Sequence, residues 1–229
     1  MKFLSALILS ILIISVVKAQ DNIIQLEYKK GEVLDIILAS TQYDSGDEYN
    51  KYRKTAFPIA FEYSFELMPV FDIEELIVGT SFPTTFIFGK WESVKKREGF
   101  LDDITTRLPD FHEQRRNLFS YFGLTYYEVV EDLTFFINEE KHIIANAFWE
   151  EERLDYTAFF EDWKKNVEEA GGRIIVELTN GTSPTGYFYN PDSFILVEWQ
   201  SKDEFENFSK NTPLSEYDIL KNIHQFRIE

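Results

Sequence analysis

The sequence predicts an α+β protein whose chain contains two diverged copies of one unit of about 100 residues. Three observations predict it. The chain matches itself at a constant shift of 108 residues. The apolar residues change between strand and helix spacing in the same order in each copy. The chain is also rich in Phe, Tyr, Ile and Leu, which is enough apolar material for one or two ordinary cores.

The repeat is clearest around Trp91 and Trp199, which lie 108 residues apart in a match that has no gap. At the same shift, residues 34–39 fall on residues 142–147. We therefore expect one copy over residues 23–130 and a second over residues 131–229. The residues that recur are Pro83, Phe86, Ile87, Trp91, Ser93 and Phe100, which return as Pro191, Phe194, Ile195, Trp199, Ser201 and Phe208.

Each copy is predicted to begin with a β-hairpin, formed by residues 23–28 and 33–42 and then by residues 133–137 and 142–149. A helix follows in each copy, and Pro58 is expected to bend or restart the first of these helices. A short helix is predicted before the last strand, and in the first copy it extends into a helical region over residues 104–121. The remaining predicted strands are 65–71, 85–91 and 125–130, and then 173–178, 193–199 and 223–228.

The order strand, helix, strand, strand, helix, strand is that of the ferredoxin-like fold, an antiparallel sheet with both helices on one face. The other face of such a sheet is bare and must be covered. Two units in one chain can cover each other by packing sheet on sheet. The predicted fold class is therefore α+β, with two tandem ferredoxin-like units packed face to face as a closed or nearly closed pseudo-dimeric barrel.

The first residues predict a secretory signal peptide. Lys2 precedes an apolar run from Phe3 to Val17 that only serines interrupt, and Ala19 supplies the small residue at the cleavage site. The run is shorter than the about 20 residues that a membrane span needs. An uncleaved signal anchor is the alternative. We expect cleavage after Ala19, a secreted or periplasmic protein, and no membrane association once residues 1–19 are removed.

The composition argues against several functional classes. The net charge is −17, and losing Lys2 and Lys18 with the signal peptide takes it to −19, so nucleic acid is not an expected partner. The chain contains no cysteine, which excludes disulfides and thiol chemistry. Its three histidines, His112, His142 and His224, are far apart in sequence. None forms a pair with ligand spacing, so no metal site is predicted.

Three segments resemble the dimeric α+β barrel superfamily. They are Tyr52-Arg53-Lys54 with Pro58, the segment 86–93 (FIFGKWES), and the segment 194–208, which continues into an acidic and basic helix. The resemblance covers nearly the whole mature chain and is nearest to a small domain of unknown function related to antibiotic-biosynthesis-type monooxygenases. It implies that the two copies stand in for the two subunits of a dimer, so a monomer is expected.

The resemblance also implies a function class. Cofactor-free oxygenases of this superfamily use a pocket between sheet and helices, lined by aromatic residues, so a small apolar or aromatic ligand is expected. If the protein is an enzyme, the resemblance implies a cofactor-free monooxygenase or isomerase. The alternative is a non-catalytic exported binding or interaction protein. The candidates in the second copy are His142 and Asn146 for catalysis, and Trp149, Tyr156, Trp163 and Trp199 for the ligand pocket.

No cofactor is expected. The haem-degrading branch of the superfamily places an asparagine on the first strand, and a tryptophan and a histidine on the second helix. Asn146 fits the first position, but Phe208 occupies the equivalent helix position. No histidine lies between His142 and His224. The resemblance therefore does not lead us to expect haem.

The same residues also have a structural explanation. Aromatic side chains at helical or alternating spacing are typical of a core. His142 and Asn146 alternate with apolar residues and so share one face of a strand, which is either a pocket wall or an exposed edge. Trp91 and Trp199 are expected to be core residues, because both copies keep them while the polar residues nearby differ. Replacing either by Ala is then expected to cost about 3–5 kcal/mol.

Overall fold

The structure is a computed structural model that describes residues 22–151, 156–184, 186–214 and 220–229. The predicted signal peptide, residues 1–19, lies outside the described residues. None of the helices in the described ranges combines the length and the apolar character needed to cross a membrane.

The chain forms ten described strands and five described helices. Its first half contains β1 (Ile23–Tyr28), β2 (Val33–Thr41), α1 (Gly46–Glu62), β3 (Glu66–Val78), β4 (Thr85–Trp91), α2 (Val94–Arg107), α3 (Phe111–Leu118) and β5 (Phe119–Glu128). Its second half contains β6 (Leu133–Asn138), β7 (His142–Glu150), α4 (Thr157–Glu169), β8 (Arg173–Thr179), β9 (Ser193–Trp199), α5 (Lys202–Asn211) and β10 (Leu220–Ile228). We call β2 to β5 the first unit and β7 to β10 the second unit.

The strands form a nearly closed barrel. Eight of them follow the order β5-β2-β4-β3-β10-β7-β9-β8, so each unit has the antiparallel ferredoxin-like strand order. The units join through a ladder between β3 and β10. At the other join, Tyr126 on β5 and Thr182 exchange two backbone hydrogen bonds of 2.9 and 2.8 Å. The predicted fold class, two ferredoxin-like units packed as an α+β barrel, is confirmed.

The predicted hairpins do not form. β1 pairs antiparallel with β6 instead of β2, and the two strands make a separate ribbon that links the halves of the chain. Leu26, Tyr28, Phe135 and Ile137 lie on its buried face and pack against the barrel interior. The hairpin prediction follows from nearness in sequence. In the structure β1 pairs with the equivalent strand of the other half, and the shared apolar face of the two strands is buried against the barrel interior.

Three apolar clusters hold the layers together. One fills the barrel between the facing sheets, one packs α1, α2 and α3 on the outer face of the first unit, and one packs α4 and α5 on the second. Helices α2 and α5 follow the equivalent strands β4 and β9, and each helix is capped at its N-terminus by an equivalent serine. Ser93 Oγ accepts from Lys96 N and Ser201 Oγ from Glu204 N, both at 3.3 Å. These caps satisfy orphan amides of the first turn.

Two further elements differ from the prediction. α1 runs unbroken through Pro58, although a proline inside a helix removes one backbone hydrogen bond. β3 extends to Val78, seven residues beyond the predicted end at Phe71, and this extension supplies the ladder to β10. The extension has no counterpart in the repeat, so self-comparison does not predict it.

The correspondence between the units also needs a correction. Val33 pairs with Trp91 on the neighbouring strand, and His142 pairs with Trp199, so Val33 and His142 are equivalent. The constant shift of 108 had matched Leu34 with His142, which is one residue out of step on this strand. Because successive side chains of a strand point to opposite faces, a slip of one residue exchanges the two faces. Counted correctly, Asp35, Ile37 and Ala39 correspond to Ile144, Asn146 and Phe148.

Candidate functional site

A cavity of about 290 Å³ lies between the sheet and the helices of the first unit. Its floor is the outer face of β2, β4 and β5, and its walls come from α1, α2 and α3. Most of the lining side chains are apolar. We call it the first-unit cavity. Its lining includes Asp35, Ile37, Ala39, Ala56, Ile87, Trp91, Arg97, Phe100, Arg115 and Tyr187.

The cavity exists because two small residues stand where the second unit has large ones. Ala39 on β2 corresponds to Phe148 on β7. Ala56 on α1 corresponds to Trp163 on α4, because each lies seven residues before the residue that caps the C-terminal end of its helix. These capping residues are Tyr63 and Ala170. In the second unit the rings of Phe148 and Trp163 contact each other with centroids 5.2 Å apart. The equivalent space is therefore packed in the second unit and open in the first.

A buried ion pair forms one side of the cavity. The exposed fractions of Asp35 and Arg97 are 1% and 2%. Asp35 Oδ1 accepts from Arg97 Nε at 2.8 Å, and its Oδ2 accepts from Trp91 Nε1 at 2.8 Å. Arg97 Nη1 also donates to the more exposed Glu98 at 3.1 Å. Both oxygens of Asp35 are thus engaged, which compensates the cost of burying its charge.

The second unit replaces this network with apolar residues. Ile144 corresponds to Asp35. Phe205 corresponds to Arg97, since each lies four residues after the serine that caps its helix. Trp199 Nε1 consequently has no hydrogen-bond partner among the described residues, whereas Trp91 Nε1 has one. Among the residues that the structure describes, this polar network occurs in the first unit alone.

Arg115 is the second cation of the cavity, and it has no carboxylate partner among the described residues. Its guanidinium carbon lies 4.4 Å from the ring centroid of Phe122 and 4.5 Å from that of Phe111. Arg115 Nε donates to the hydroxyl of Tyr52 at 2.9 Å, and Nη1 donates to the hydroxyl of Tyr187. Aromatic faces stabilise a guanidinium, but they do not neutralise it.

The two tyrosines come from different units. Tyr52 lies on α1, while Tyr187 lies in the loop between β8 and β9 and reaches across to the first unit. Burial raises the pKa of Tyr52, although the neighbouring Arg115 opposes this effect. Tyr52 therefore stays a neutral phenol near pH 7. Since its oxygen accepts from Arg115, its own O–H is left to donate to another group.

The predicted catalytic residues lie in the second unit, away from this cavity. His142 borders a smaller cavity of about 160 Å³ with Glu75, Lys202 and Glu206, and burial lowers its pKa. Asn146 lies four residues further along β7, about 13 Å away at the usual rise of a strand. Its Nδ2 donates to the carbonyl oxygens of Ile144 and Ile195, and its Oδ1 accepts from Gln225 at 2.7 Å. The structure does not bring this pair together, and their catalytic role stays a prediction.

The predicted pocket aromatics lie in two different packing layers. Trp163 and Trp199 belong to the cluster between the sheet and helices of the second unit. Trp149 lies on the opposite face of β7 and packs on the barrel interior, with Tyr189 5.3 Å away. Tyr156 precedes α4 and donates to the carbonyl of Glu151. None of the four lines the first-unit cavity, and their role as ligand contacts stays a prediction.

Sequence reasoning missed Asp35, Arg97 and Arg115, although two of them left a signal. Asp35 is the single charge in the apolar run over residues 33–39. Arg115 lies four residues after Phe111 and three before Leu118, which places it on the buried face of α3. Arg97 follows two lysines and looks like part of a solvated basic stretch. Only its comparison with Phe205 marks it as buried.

The comparisons with known proteins identify the fold. No family model matches the chain, and no curated protein matches it. The structure is similar to that of chlorite dismutase from Candidatus Nitrospira defluvii in complex with imidazole, with a TM-score of 0.51 and 11% identity over 88% of this chain and 92% of that chain. A variant of the same enzyme gives a TM-score of 0.51 with the same identity and coverage. At this identity the similarity shows the dimeric α+β barrel fold alone.

A third structure is that of a candidate monooxygenase from Fusobacterium nucleatum. It shares 11% identity over 87% of this chain and 92% of its own, with a TM-score of 0.40. That TM-score is too low to carry an argument about either fold or function.

The expectation about cofactors is corrected by the first comparison. We expected no cofactor and no haem, but chlorite dismutases are haem-binding proteins, so this fold is one that binds haem. Haem iron takes His, Cys, Met or Tyr as its protein ligand. The residues of these types that line the first-unit cavity are Tyr49, Tyr52 and Tyr187. The hydroxyls of Tyr52 and Tyr187 accept hydrogen bonds from Arg115, and Tyr49 is 46% exposed. This donor set does not fit a haem iron.

The described residues contain no group of His, Cys, Asp or Glu side chains arranged to hold a metal ion. The chemistry that the site offers is that of two guanidiniums, one engaged carboxylate and several phenols around an apolar space.

Proposed function

We propose that this protein binds a small, mainly apolar or aromatic compound in the first-unit cavity. The observation that carries the proposal is the pair Ala39 and Ala56, which keep open in the first unit the space that Phe148 and Trp163 fill in the second. The cavity volume of about 290 Å³ is near the lower end of ligand pockets, which run from about 300 to 1,000 Å³. A compound of one or two rings is the matching size.

The lining supports binding more than turnover. A general base must have an oxygen or nitrogen within reach of the proton that it removes. Asp35 is the carboxylate of the lining, and both its oxygens accept hydrogen bonds from Arg97 and Trp91. We therefore propose the non-catalytic alternative, a binding protein, rather than a cofactor-free monooxygenase or isomerase.

A cavity-filling variant tests the proposal. The protein is purified from its own host, and native mass spectrometry measures any retained compound in the wild type and in Ala56→Trp, which imitates Trp163. The control is Ala170→Trp, which adds the same side chain at an exposed position after α4. We expect a retained mass in the wild type and the control, and none in Ala56→Trp.

Two results would contradict this proposal. One is an equal retained mass in Ala56→Trp, because the compound would then lie elsewhere. The other is a wild type that carries nothing and whose Tm does not respond to indole, toluene or 3-phenylpropionate, since a ligand that binds the native state must raise the Tm.

Export is a separate proposal that rests on the sequence. We propose that residues 1–19 are removed after Ala19 and that the protein is secreted or periplasmic. Mass spectrometry of the N-terminal peptide from the host protein tests it. A mature chain that begins at Gln20 is the expected result, and a chain that keeps Lys2 would contradict it.

A further inference from the structure

We infer that the compound bound in the first-unit cavity is an organic anion, and that Arg115 pairs with its carboxylate. This inference rests on the proposed function and adds the chemical class of the ligand. It follows from the charges of the lining, the unused hydrogen-bond donors of Arg115, and the position of Arg115 relative to the apolar part of the cavity.

The lining carries an unbalanced positive charge. Its charged residues are Asp35, Arg97 and Arg115, which sum to one negative and two positive charges. The buried ion pair between Asp35 and Arg97 cancels one of each. Glu98, which also bonds to Arg97, lies outside the lining, and its side chain is 44% exposed. Arg115 is left over, in a chain whose net charge is −17 and which therefore has many carboxylates elsewhere. An uncompensated cation in an apolar setting is costly unless a negative group pairs with it.

Arg115 keeps donors for such a group. A guanidinium has five N–H bonds in a flat fork. In Arg115, one from Nε goes to Tyr52 and one from Nη1 goes to Tyr187. A carboxylate can accept two parallel bonds from the remaining donors, the geometry in which arginine binds carboxylates most strongly. The hydroxyl of Tyr52 adds a further donor, because its oxygen already accepts from Arg115.

The rest of the cavity fits an apolar body attached to that carboxylate. Ile37, Ala39 and Ile87 on the sheet face Ala56 on α1, and the indole of Trp91 lies beyond them. Phe111 and Phe122 lie against the guanidinium and limit the water that reaches it. A ring or short chain would bury its apolar surface there while the acid group stays at Arg115. The ligand class is therefore a small aromatic or apolar monocarboxylate.

The test compares acids with amides of the same shape. The probes are benzoate, phenylacetate, 3-phenylpropionate and 4-phenylbutyrate, each with its primary amide, and calorimetry measures the Kd for the full mature chain. We expect at least one acid to bind the wild type at least tenfold more tightly than its amide. Arg115→Gln should remove this preference by weakening the acid at least tenfold while leaving the amide within twofold.

Arg116→Gln is the matched control, because it removes the same charge from the exposed neighbouring position of α3. It should keep the preference for the acid. Arg115→Lys keeps the charge without the fork, and we expect an intermediate loss. If Arg115→Gln does not fold, the proposal is tested by the ratio of acid to amide affinity in the wild type and in Arg115→Lys. A ratio that is the same in both proteins would contradict the role of Arg115.

The outcomes separate the two proposals. Equal binding of acid and amide in the wild type would overturn the assignment of an anion while leaving a binding cavity. An acid preference that survives in Arg115→Gln would overturn the role of Arg115. If no probe of either kind binds the wild type, the assignment of a small aromatic or apolar monocarboxylate falls. If Ala56→Trp binds a probe as the wild type does, the cavity is not the site and both proposals fall.

Discussion

The rings of Phe86 and Phe194 stack in the barrel interior, with centroids 5.9 Å apart and planes 8° apart. One comes from the central strand of each unit, and they are equivalent residues in the repeat. Equivalent residues contact each other only near the axis that relates two units. The pseudo-twofold axis of the barrel therefore passes between these two rings.

Removing either ring should destabilise the whole barrel. Phe86→Ala and Phe194→Ala should each cost about 3–5 kcal/mol of unfolding free energy, because a large cavity would remain. In the double variant the losses should fall short of their sum by about 0.5–1.5 kcal/mol, the value of the ring contact. Urea unfolding measures all three. Phe136→Ala, at a position that is 44% exposed, is the control and should stay within about 0.5 kcal/mol of the wild type. Strict additivity would show that the rings do not interact.

The ion pair between Asp35 and Arg97 should be replaceable only as a pair. Arg97→Phe should cost about 3–5 kcal/mol, since it leaves the buried carboxylate of Asp35 without its cation. Asp35→Ile should cost less, because Arg97 keeps Glu98 as a partner. The double variant copies Ile144 and Phe205 of the second unit and should recover most of that loss. Urea unfolding again supplies the values. A double variant as unstable as the sum of the singles would mean that the pair contributes more than mutual neutralisation.

The two equivalent tryptophans should differ in their response to Trp→Phe. Trp91→Phe removes the donor to the buried Asp35, a bond to a charged group that is worth about 1.5–3 kcal/mol. Trp199 Nε1 donates to no described residue, so Trp199→Phe removes no such bond. We expect Trp91→Phe to be the more destabilising by roughly that amount, measured by thermal unfolding. This refines the sequence-based expectation of equal costs on replacement by Ala. Equal losses would show that the hydrogen bond has no net value.

Acid should weaken the fold partly through His224. This residue is 3% exposed, its Nδ1 faces the hydroxyl of Tyr189 at 3.1 Å, and its Nε2 faces the carbonyl of Ser81 at 2.9 Å. Burial lowers the pKa of His224 below its usual 6.5. Between the folded and unfolded pKa values the unfolded chain binds more protons, so stability is retained above about pH 6.5 and falls as the pH drops below it.

His224→Gln should flatten this pH dependence. The measurement is the urea midpoint between about pH 7.5 and pH 5.5, the range around the usual histidine pKa. His112→Gln is the comparison, because His112 is on the exposed face of α3, although burial lowers its pKa as well. A midpoint that falls equally in the wild type and in His224→Gln would assign the acid sensitivity to other groups.

Most of the fold could be predicted from the sequence, because the spacing of the apolar residues identifies the main strands and helices. The segment around Trp91 and Trp199 fixed the central strand and the capped helix of each unit. The pairing of strands that depends on three-dimensional packing could not be predicted. β1 is apolar on one face, and nothing in its sequence distinguishes pairing with β2 from pairing with β6.

The site was harder to predict because the cavity depends on the absence of large side chains. A cavity is made by small residues, and Ala39 and Ala56 carry no chemical signal of their own. The repeat holds that information only when the strands are compared in the correct register. With a constant shift of 108, Ala39 falls on Ala147 and the contrast with Phe148 disappears. Of the aromatic residues predicted to line a pocket in the second unit, Trp163 fills the equivalent space there, together with Phe148.

The two units are joined by a strand ladder on one side and by a single backbone-bonded pair of residues on the other. We therefore expect the backbone amides at the two joins to differ in their protection from hydrogen exchange. Opening the join between β3 and β10 must break a backbone ladder. The other join has two backbone bonds, between Tyr126 and Thr182, and side-chain bonds from Thr125 to the carbonyl of Tyr189 and from Arg115 to Tyr187. The free energy of such a local opening rises with the number of contacts that it breaks. The amides of Tyr126 and Thr182 should therefore exchange faster than those of β10. Tyr187 lies in the same loop as Thr182, so this opening also separates its hydroxyl from Arg115, and exchange at Thr182 reports how often the cavity loses its contact with the second unit.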